Sequence, residues 1–281
     1  WINKFKIWTF CVKERDNLIE AIENYLVGAT ENIMMAASKA EGLTVIDNAA
    51  KEPEIIDLAH FLVKMGANIS GEGTSSILIK GVKNLNQAEH TIMFDRIVAG
   101  TFVIAAVMLN KEFIVKNINT NFLGSLIEIL TKMGANLRFG KNFINILPSE
   151  KIIGINVETA PYPGFPTDLQ AQLMALMSLA LGKSQISEKI FENRFMHVSE
   201  LNRLGGNITV KNDTAFIEGG RIFKGAPVMA SDLRASVSLV LAALCSEGET
   251  VVNRVYHLDR GYEKIEETLG KCGPSIIREK S

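Results

Sequence analysis

Cysteine is scarce in this chain. There are three, Cys11, Cys245 and Cys272, with no CxxC spacing among them. An odd number so widely spread argues against a disulfide framework and against a zinc ribbon, and makes a reducing cytoplasm the default compartment. Histidine is nearly as thin: His60, His90, His197 and His257 form no HExxH motif, so no histidine-rich metal site is legible. Long apolar runs are missing; the stretch 237–245 is among the longest and falls short of a bilayer span. Charge of one sign is missing too. With 30 Lys and Arg against 31 Asp and Glu, the net charge is −1, which argues against a protein held to nucleic acid by bulk positive charge. A small anion gripped by a few local arginines stays open. No signal-peptide pattern follows Trp1, and the chain opens inside sequence that already reads as folded.

What is present is ordinary globular material. The 281 residues are 47% hydrophobic and 22% charged, room for one large domain or two ordinary ones. Within them four segments resemble one another: KMGANIS at 64–70, KMGANLR at 132–138, RLGGNIT at 203–209 and KCGPSII at 271–277. Their glycines, Gly66, Gly134, Gly205 and Gly273, stand 68, 71 and 68 residues apart. Each ends an apolar helical pattern and opens an alternating strand, the place just past a helix where a left-handed backbone favours glycine. The basic residue two positions earlier suits the negative end of that helix.

Upstream of each glycine the order recurs. A small-residue-rich helix comes first (30–40, 96–109, 169–181, 233–245), then a strand (43–48, 112–118, 184–190, 249–255). An amphipathic helix follows, with Ile55, Leu58, Leu62 and Met65 at helical spacing in the first instance. One or two strands close the unit, as at 207–211 and 215–218. The class is therefore α/β (α+β), in repeated units of about 70 residues. The first helix of each unit is apolar nearly all round and is expected to be buried, with Met174 and Met177 as core packing.

Polar residues collect at two places in the unit. The entrance to the buried helix carries Gly28-Ala29-Thr30, Asp95-Arg96, Thr167-Asp168 and Asp232-Leu233-Arg234. The loop before the amphipathic helix carries Glu52 and Glu54, Asn119 and Thr120, Glu192-Asn193-Arg194, and Asp259-Arg260. Helix N-termini with arginines beside them make an anion site, and arginine grips carboxylates and phosphates with two prongs. Plain structure competes for the same residues. Asp95, Asp168 and Asp232 stand where helix capping selects aspartate, and Arg194 and Arg260 fit solvated loops. Cys245 and Cys272 read as structural.

The strings FPTDLQAQ (165–172), ENRFMHV (192–198), DLRAS (232–236) and HLDRGYE (257–263) resemble the bacterial UDP-N-acetylglucosamine enolpyruvyl transferases. AAKEPEI (49–55) and DRIVAGTF (95–102) do so as well, and the strings run in the family's order over about 27–277. The resemblance implies an enolpyruvyl transferase fold, an inside-out α/β barrel of two domains, each with three βαβαββ-type units and the active site between them. Four of six units are expected here: residues 1–93 as the last unit of the first domain, and 94–281 as the second domain. The implied reaction moves the enolpyruvyl group of phosphoenolpyruvate to the 3-hydroxyl of UDP-N-acetylglucosamine, the first committed step of peptidoglycan synthesis, in the cytoplasm. No cofactor, metal, nucleic acid or membrane is expected, whereas a missing N-terminal half or a complementary chain is.

The resemblance also assigns residues. Asp168 matches the base and sugar-hydroxyl ligand, Arg194 and Arg260 match arginines on phosphoenolpyruvate, and Asp232 with Arg234 matches a supporting pair. Ile190 matches a sugar-nucleotide contact, Val27 ends a nucleotide-binding stretch, and Gly28 and Thr167 join the substrate-binding set. Departures go with it. The family's Lys-Asn pair, its loop cysteine that serves as the acid, and its phosphate-gripping arginines precede the matched stretch. Cys11, in TFCVKERD, lacks the glycine-rich setting of that loop, and residues 24–27 lack the family's usual Lys and Ser. Such groups contribute roughly 10²–10⁴-fold each, so the chain alone is expected not to turn over. An inactive remnant, or a partner-dependent ligand-binding or structural chain, is the competing expectation. The sister enzyme acting on shikimate 3-phosphate fits the motifs less well.

Overall fold

The computed structural model describes residues 27–279; Trp1, Cys11 and the stretch 24–26 lie outside the described residues. Contacts among the described residues divide between two compact units, with the boundary between Met93 and Phe94.

The first unit contains α1 (Val27–Ala37), β1 (Leu43–Asp47), α2 (Pro53–Lys64), β2 (Asn68–Ser70) and β3 (Ser76–Lys80). Its strands form an antiparallel sheet in the order β1-β3-β2, with Val45 opposite Leu78 and Ile69 opposite Ile79. Period-two alternation sets the buried face: Thr44 and Ile46 on β1, Ile77 and Ile79 on β3. Proline at the start of α2 costs no hydrogen bond there. Ile55, Ala59 and Leu62 recur along one side of α2 and close the core with Met34, Ile46, Ile77 and Ile79. Each fully buried isoleucine stabilises that core by about 1.5–3 kcal/mol.

The second unit opens with the same order: α3 (Arg96–Leu109), β4 (Phe113–Lys116), α4 (Gly124–Lys132), β5 (Asn136–Gly140) and β6 (Phe143–Leu147), in an antiparallel sheet β4-β6-β5. After β7 (Asn156–Glu158) it returns as α5 (Gln170–Leu179), β8 (Lys183–Ser187), α6 (Val198–Arg203), β9 (Ile208–Lys211) and β10 (Thr214–Glu218). These strands pair in the order β7-β8-β10-β9, with β7 parallel to β8. The remainder holds β11 (Phe223–Lys224), β12 (Pro227–Met229), α7 (Leu233–Leu244), β13 (Ser246–Glu247), β14 (Val251–Asn253) and α8 (Ile265–Gly270). Here β11 pairs with β13 and β12 with β14, both parallel.

Helix α5 is buried from Gln170 to Ser178 and packs against α3 and α7, so its all-round apolar pattern has its cause in neighbours on every side, whereas α1, expected to be buried in the same way, buries only Thr30, Met34 and Ala37. The four recurrent glycines all take the left-handed conformation, with φ of +102° at Gly66, +96° at Gly134, +103° at Gly205 and +115° at Gly273.

Three expectations are corrected. The strand expected after Gly273 does not form: Pro274 has no N–H for a ladder, and residues 274–279 pair with no strand. The strand expected over 184–190 stops at Ser187, because the N–H groups of Ile190 and Phe191 turn onto the Glu188 side chain. The strand expected over 249–255 shrinks to Val251–Asn253, since Arg254 adopts a left-handed φ of +60°.

Candidate active site

Three aspartates stand at the entrances of α3, α5 and α7, and the structure treats them differently. Asp95 Oδ1 accepts from the backbone N–H of Ile97 at 2.8 Å and of Val98 at 2.9 Å. Asp232 Oδ1 accepts from Arg234 N–H at 2.8 Å and Ala235 N–H at 2.9 Å. Both are ordinary N-caps. Asp168, in the 3-10 turn Thr167–Leu169 that leads into α5, caps nothing. Its carboxylate instead bridges two arginines: Arg194 Nη2 donates to Oδ1 at 2.6 Å and Arg234 Nη2 donates to Oδ2 at 2.9 Å.

The two arginine side chains are 18% and 16% exposed, and Asp168 is 36% exposed, so the cluster is sheltered but open on the carboxylate side. Burial opposes the charge on Asp168, but the two guanidiniums outweigh it and hold its carboxyl below the usual range. Burial likewise opposes the charge on Arg234, and the Asp168 carboxylate more than offsets it. Arg194 is therefore no solvated loop residue. Its Nη1 donates to Thr167 Oγ1 at 2.8 Å, and its guanidinium lies 5.0 Å from the centre of the Phe191 ring.

Behind this cluster stand residues that sequence reasoning passed over. Glu188, only 6% exposed, accepts from Thr159 Oγ1 and Thr167 Oγ1, both at 2.8 Å, and from the N–H groups of Ile190 and Phe191, both at 3.0 Å. The available signal was a glutamate breaking the alternation at the end of a strand pattern. Gln172 Nε2 donates to the Asp168 carbonyl at 3.0 Å and to Thr101 Oγ1 at 3.0 Å, and Thr101 Oγ1 lies 2.8 Å from the Tyr262 hydroxyl. Gln172 and Tyr262 both sit inside strings quoted above, but only distant partners reveal their use. His197 is buried, its Nε2 has no partner, and burial pushes its pKa down to about 4.

Of the other expected site residues in the second unit, Arg260 and Ile190 make no bond to Asp168 or its arginines. Arg260 ends the 3-10 turn Val255–Arg260 and is exposed, with no hydrogen bond or ion pair to any described residue. Ile190 is 40% exposed and is tied to Glu188 through its backbone. Val27 and Gly28 start α1 in the first unit, where the Gly28 carbonyl accepts from Asn32 Nδ2 at 2.6 Å. A cleft of about 540 Å³ in the second unit is lined by Phe122, Ile129, Tyr162 and Phe165 among others, and none of the site residues lines it. Burial pushes the Cys245 thiol up to about 11, in keeping with a structural residue. Among the described residues, no three His, Cys, Asp or Glu side chains gather as a metal site requires, and no helix is long and apolar enough to cross a membrane.

The N–H donors that Arg194 and Arg234 turn to Asp168 are of the kind that grip phosphates and carboxylates, and here both are taken by an internal carboxylate.

Comparison with known proteins identifies relatives of this chain. The family model described as EPSP synthase (3-phosphoshikimate 1-carboxyvinyltransferase) matches residues 23–269. The UDP-N-acetylglucosamine 1-carboxyvinyltransferase of Azorhizobium caulinodans is 54% identical over 253 residues, 90% of this chain and 59% of the relative. That of Bdellovibrio bacteriovorus is 53% identical over 258 residues, 91% of this chain and 62% of the relative. The chain thus spans about three fifths of the length of the curated relatives it matches. Among solved structures, the enolpyruvyl transferase NikO from Streptomyces tendae superposes with a TM-score of 0.81 at 27% identity, covering 88% of this chain and 59% of that one. EPSP synthase from Acinetobacter baumannii shares the fold, with a TM-score of 0.76 at 20% identity, over 96% of this chain and 64% of that one. The matched stretch takes in Asp168, both its arginines and the scaffold around them, and on that breadth the chain belongs to the EPSP synthase (3-phosphoshikimate 1-carboxyvinyltransferase) family, with the enolpyruvyl transferase fold.

Proposed function

We propose that this chain carries the Asp168 half of an enzyme that transfers the enolpyruvyl group from phosphoenolpyruvate to the 3-hydroxyl of UDP-N-acetylglucosamine. The observation that carries the reading is the Asp168 carboxylate bridging Arg194 and Arg234, in a chain 54% identical to a relative bearing that enzyme's name. On this reading the chain comprises four βαβαββ-type units of a six-unit, inside-out α/β barrel architecture. Residues 1–93 close the first domain and 94–281 form the second. The reaction belongs to cell-wall precursor synthesis in the cytoplasm, on which cell shape and division depend, and it needs neither nucleic acid nor membrane.

The cluster has a physical route to this chemistry. While both guanidiniums face Asp168, its carboxyl is a weak base. When the phosphate or carboxylate of phosphoenolpyruvate takes those donors, the stabilisation of the ionised carboxyl is withdrawn and its proton affinity rises toward that of a useful base. Asp168 then accepts the proton of the sugar 3-hydroxyl as that oxygen bonds to C2 of phosphoenolpyruvate. The methylene carbon takes a proton from an acid supplied by the part of the relatives that precedes the matched stretch. Loss of phosphate from C2, with departure of a proton from the new methyl carbon to a base, regenerates the double bond. Arg194, Arg234 and Arg260 serve the anion, while Thr167, Ile190, Asp232, Val27 and Gly28 serve to hold the sugar nucleotide or shape its site.

The test is phosphate release by the purified chain, alone and with the N-terminal portion of the Azorhizobium caulinodans relative supplied separately. Release is expected only with both pieces and only with UDP-N-acetylglucosamine as acceptor. A normal rate from the chain alone, or turnover with shikimate 3-phosphate instead, contradicts the assignment.

A further inference from the structure

Glu188 lies outside every role assigned above, yet the structure ties more of the site to it than to any other residue named here. Its Oε1 accepts three bonds, from Thr159 Oγ1 at 2.8 Å and from the N–H groups of Ile190 and Phe191 at 3.0 Å. Its Oε2 accepts one, from Thr167 Oγ1 at 2.8 Å. The proton directions are fixed. Arg194 can only donate, so Thr167 Oγ1 accepts from Arg194 Nη1 and must send its own single proton elsewhere, to Glu188. Thr159 Oγ1 likewise accepts from Lys189 N–H at 2.9 Å and sends its proton to Glu188. Each hydroxyl thus has one orientation, and both chains of bonds end on one buried carboxylate.

Arg194 bonds to Asp168 and to the Thr167 hydroxyl and lies against the Phe191 ring; the last two contacts concern Glu188. The latter two are both held by Glu188, one through a hydroxyl and the other through its backbone N–H. The same carboxylate fixes the loop that carries Ile190. We infer that Glu188 is a positioning residue, which through Thr167 and Phe191 sets the Arg194 guanidinium and through the Ile190 amide sets the sugar-facing loop, so that one side chain aligns anion grip and acceptor loop together. The consequence for binding rests on the proposed function; the positioning itself does not.

Substitution by glutamine discriminates. An amide nitrogen in place of Oε1 meets three donors and is excluded; in place of Oε2 it faces the Thr167 hydroxyl, whose proton loses its acceptor there and must turn, which reorients the oxygen that Arg194 Nη1 donates to. Thr167→Val removes only the relay to Arg194 and leaves the three bonds to Oε1. The experiment is nitrogen-15 NMR of the Arg194 guanidinium and of the Ile190 and Phe191 amides in the full chain, with calorimetric titration of phosphoenolpyruvate and of UDP-N-acetylglucosamine.

In the unsubstituted chain the Arg194 Nη signals are expected to be separate, as for a guanidinium that does not rotate freely. Glu188→Gln should merge them, shift both amides and weaken both ligands by about tenfold or more. Thr167→Val should merge the Arg194 signals and weaken phosphoenolpyruvate to a similar degree, while leaving the two amides where they are. Unchanged Arg194 signals in either variant overturn the inference, whatever happens to the melting temperature. If Glu188→Gln fails to fold, Thr167→Val decides on its own. If the chain binds no phosphoenolpyruvate while the Arg194 signals follow Glu188, the proposed function fails and the positioning role stands.

Discussion

Replacing Asp168 with asparagine separates what the carboxylate does for the fold from what it does for a ligand. Asparagine keeps one acceptor oxygen for one arginine and turns an amide nitrogen toward the other, donor against donor. One hydrogen bond to a charged group is lost, about 1.5–3 kcal/mol. Stranding a fully buried charge costs about 3–5 kcal/mol. Asp168 is 36% exposed, however, so water reaches the abandoned guanidinium and the loss settles near 2 kcal/mol. A unit of this size loses about 2–4 °C per kcal/mol, so the melting temperature should fall by about 4–8 °C. The pH dependence has a definite sign. The folded carboxyl titrates below its ordinary value of 3.8, so its stabilisation is complete above that pH and is lost as the pH falls through the folded value. The gap between the two proteins should stay constant from neutrality down to about pH 4 and close only below it. Inorganic phosphate should then stabilise Asp168→Asn more than the unsubstituted chain, because the two arginines no longer hold an internal anion. Thermal unfolding with and without phosphate reads all of this. Equal melting temperatures at neutral pH, or equal stabilisation by phosphate, would refute the reasoning.

The remaining predictions concern a buried imidazole and a tight backbone approach. Burial lowers the His197 pKa from 6.5 to about 4, so the unfolded chain takes up that proton first and stability falls as the pH drops from 6.5 to about 4. The slope approaches about 1.4 kcal/mol per pH unit, and His197→Gln should flatten it; denaturant unfolding across that range that shows no difference contradicts the assignment. At Gly219 a Cβ would overlap the Ala180 carbonyl oxygen, and Gly81 meets the Ala40 carbonyl in the same way in the first unit. Gly219→Ala should therefore cost about 2–3 kcal/mol in a denaturant melt, whereas an unchanged midpoint would mean that the two backbones separate freely.

Much of the scaffold was legible because it rests on local rules. The apolar helices declared themselves by having no polar face, and α3 begins and ends where its pattern does. The glycines after the amphipathic helices marked left-handed turns that hold at all four positions. What local pattern missed depends on distant partners. Asp95, Asp168 and Asp232 occupy like positions before helices, and nothing nearby in sequence tells the two caps from the clamp. The difference lies in Arg194 and Arg234, which are 26 and 66 residues from Asp168. The motif strings pointed to all three residues, but not to their joining in one cluster. Glu188 looked like a strand residue until its four donors, two of them from other segments, were in place. Gly81 and Gly219 carried no signal beyond being glycine, since their constraint is a carbonyl some forty residues earlier. Arg260, marked by a motif, ends a 3-10 turn and makes no hydrogen bond or ion pair to the cluster.

The proposed function requires one exchange: a substrate anion takes Arg194 and Arg234, and Asp168 is released as a base. The direct measurement is carbon-13 NMR of the Asp168 carboxyl, assigned by its loss in Asp168→Asn, followed through titration with phosphoenolpyruvate. The exchange predicts that the carboxyl resonance moves with ligand occupancy and that its titration midpoint, below 3.8 in the free chain, rises when the ligand is bound. A bound ligand that leaves both the resonance and the midpoint where they were would contradict it.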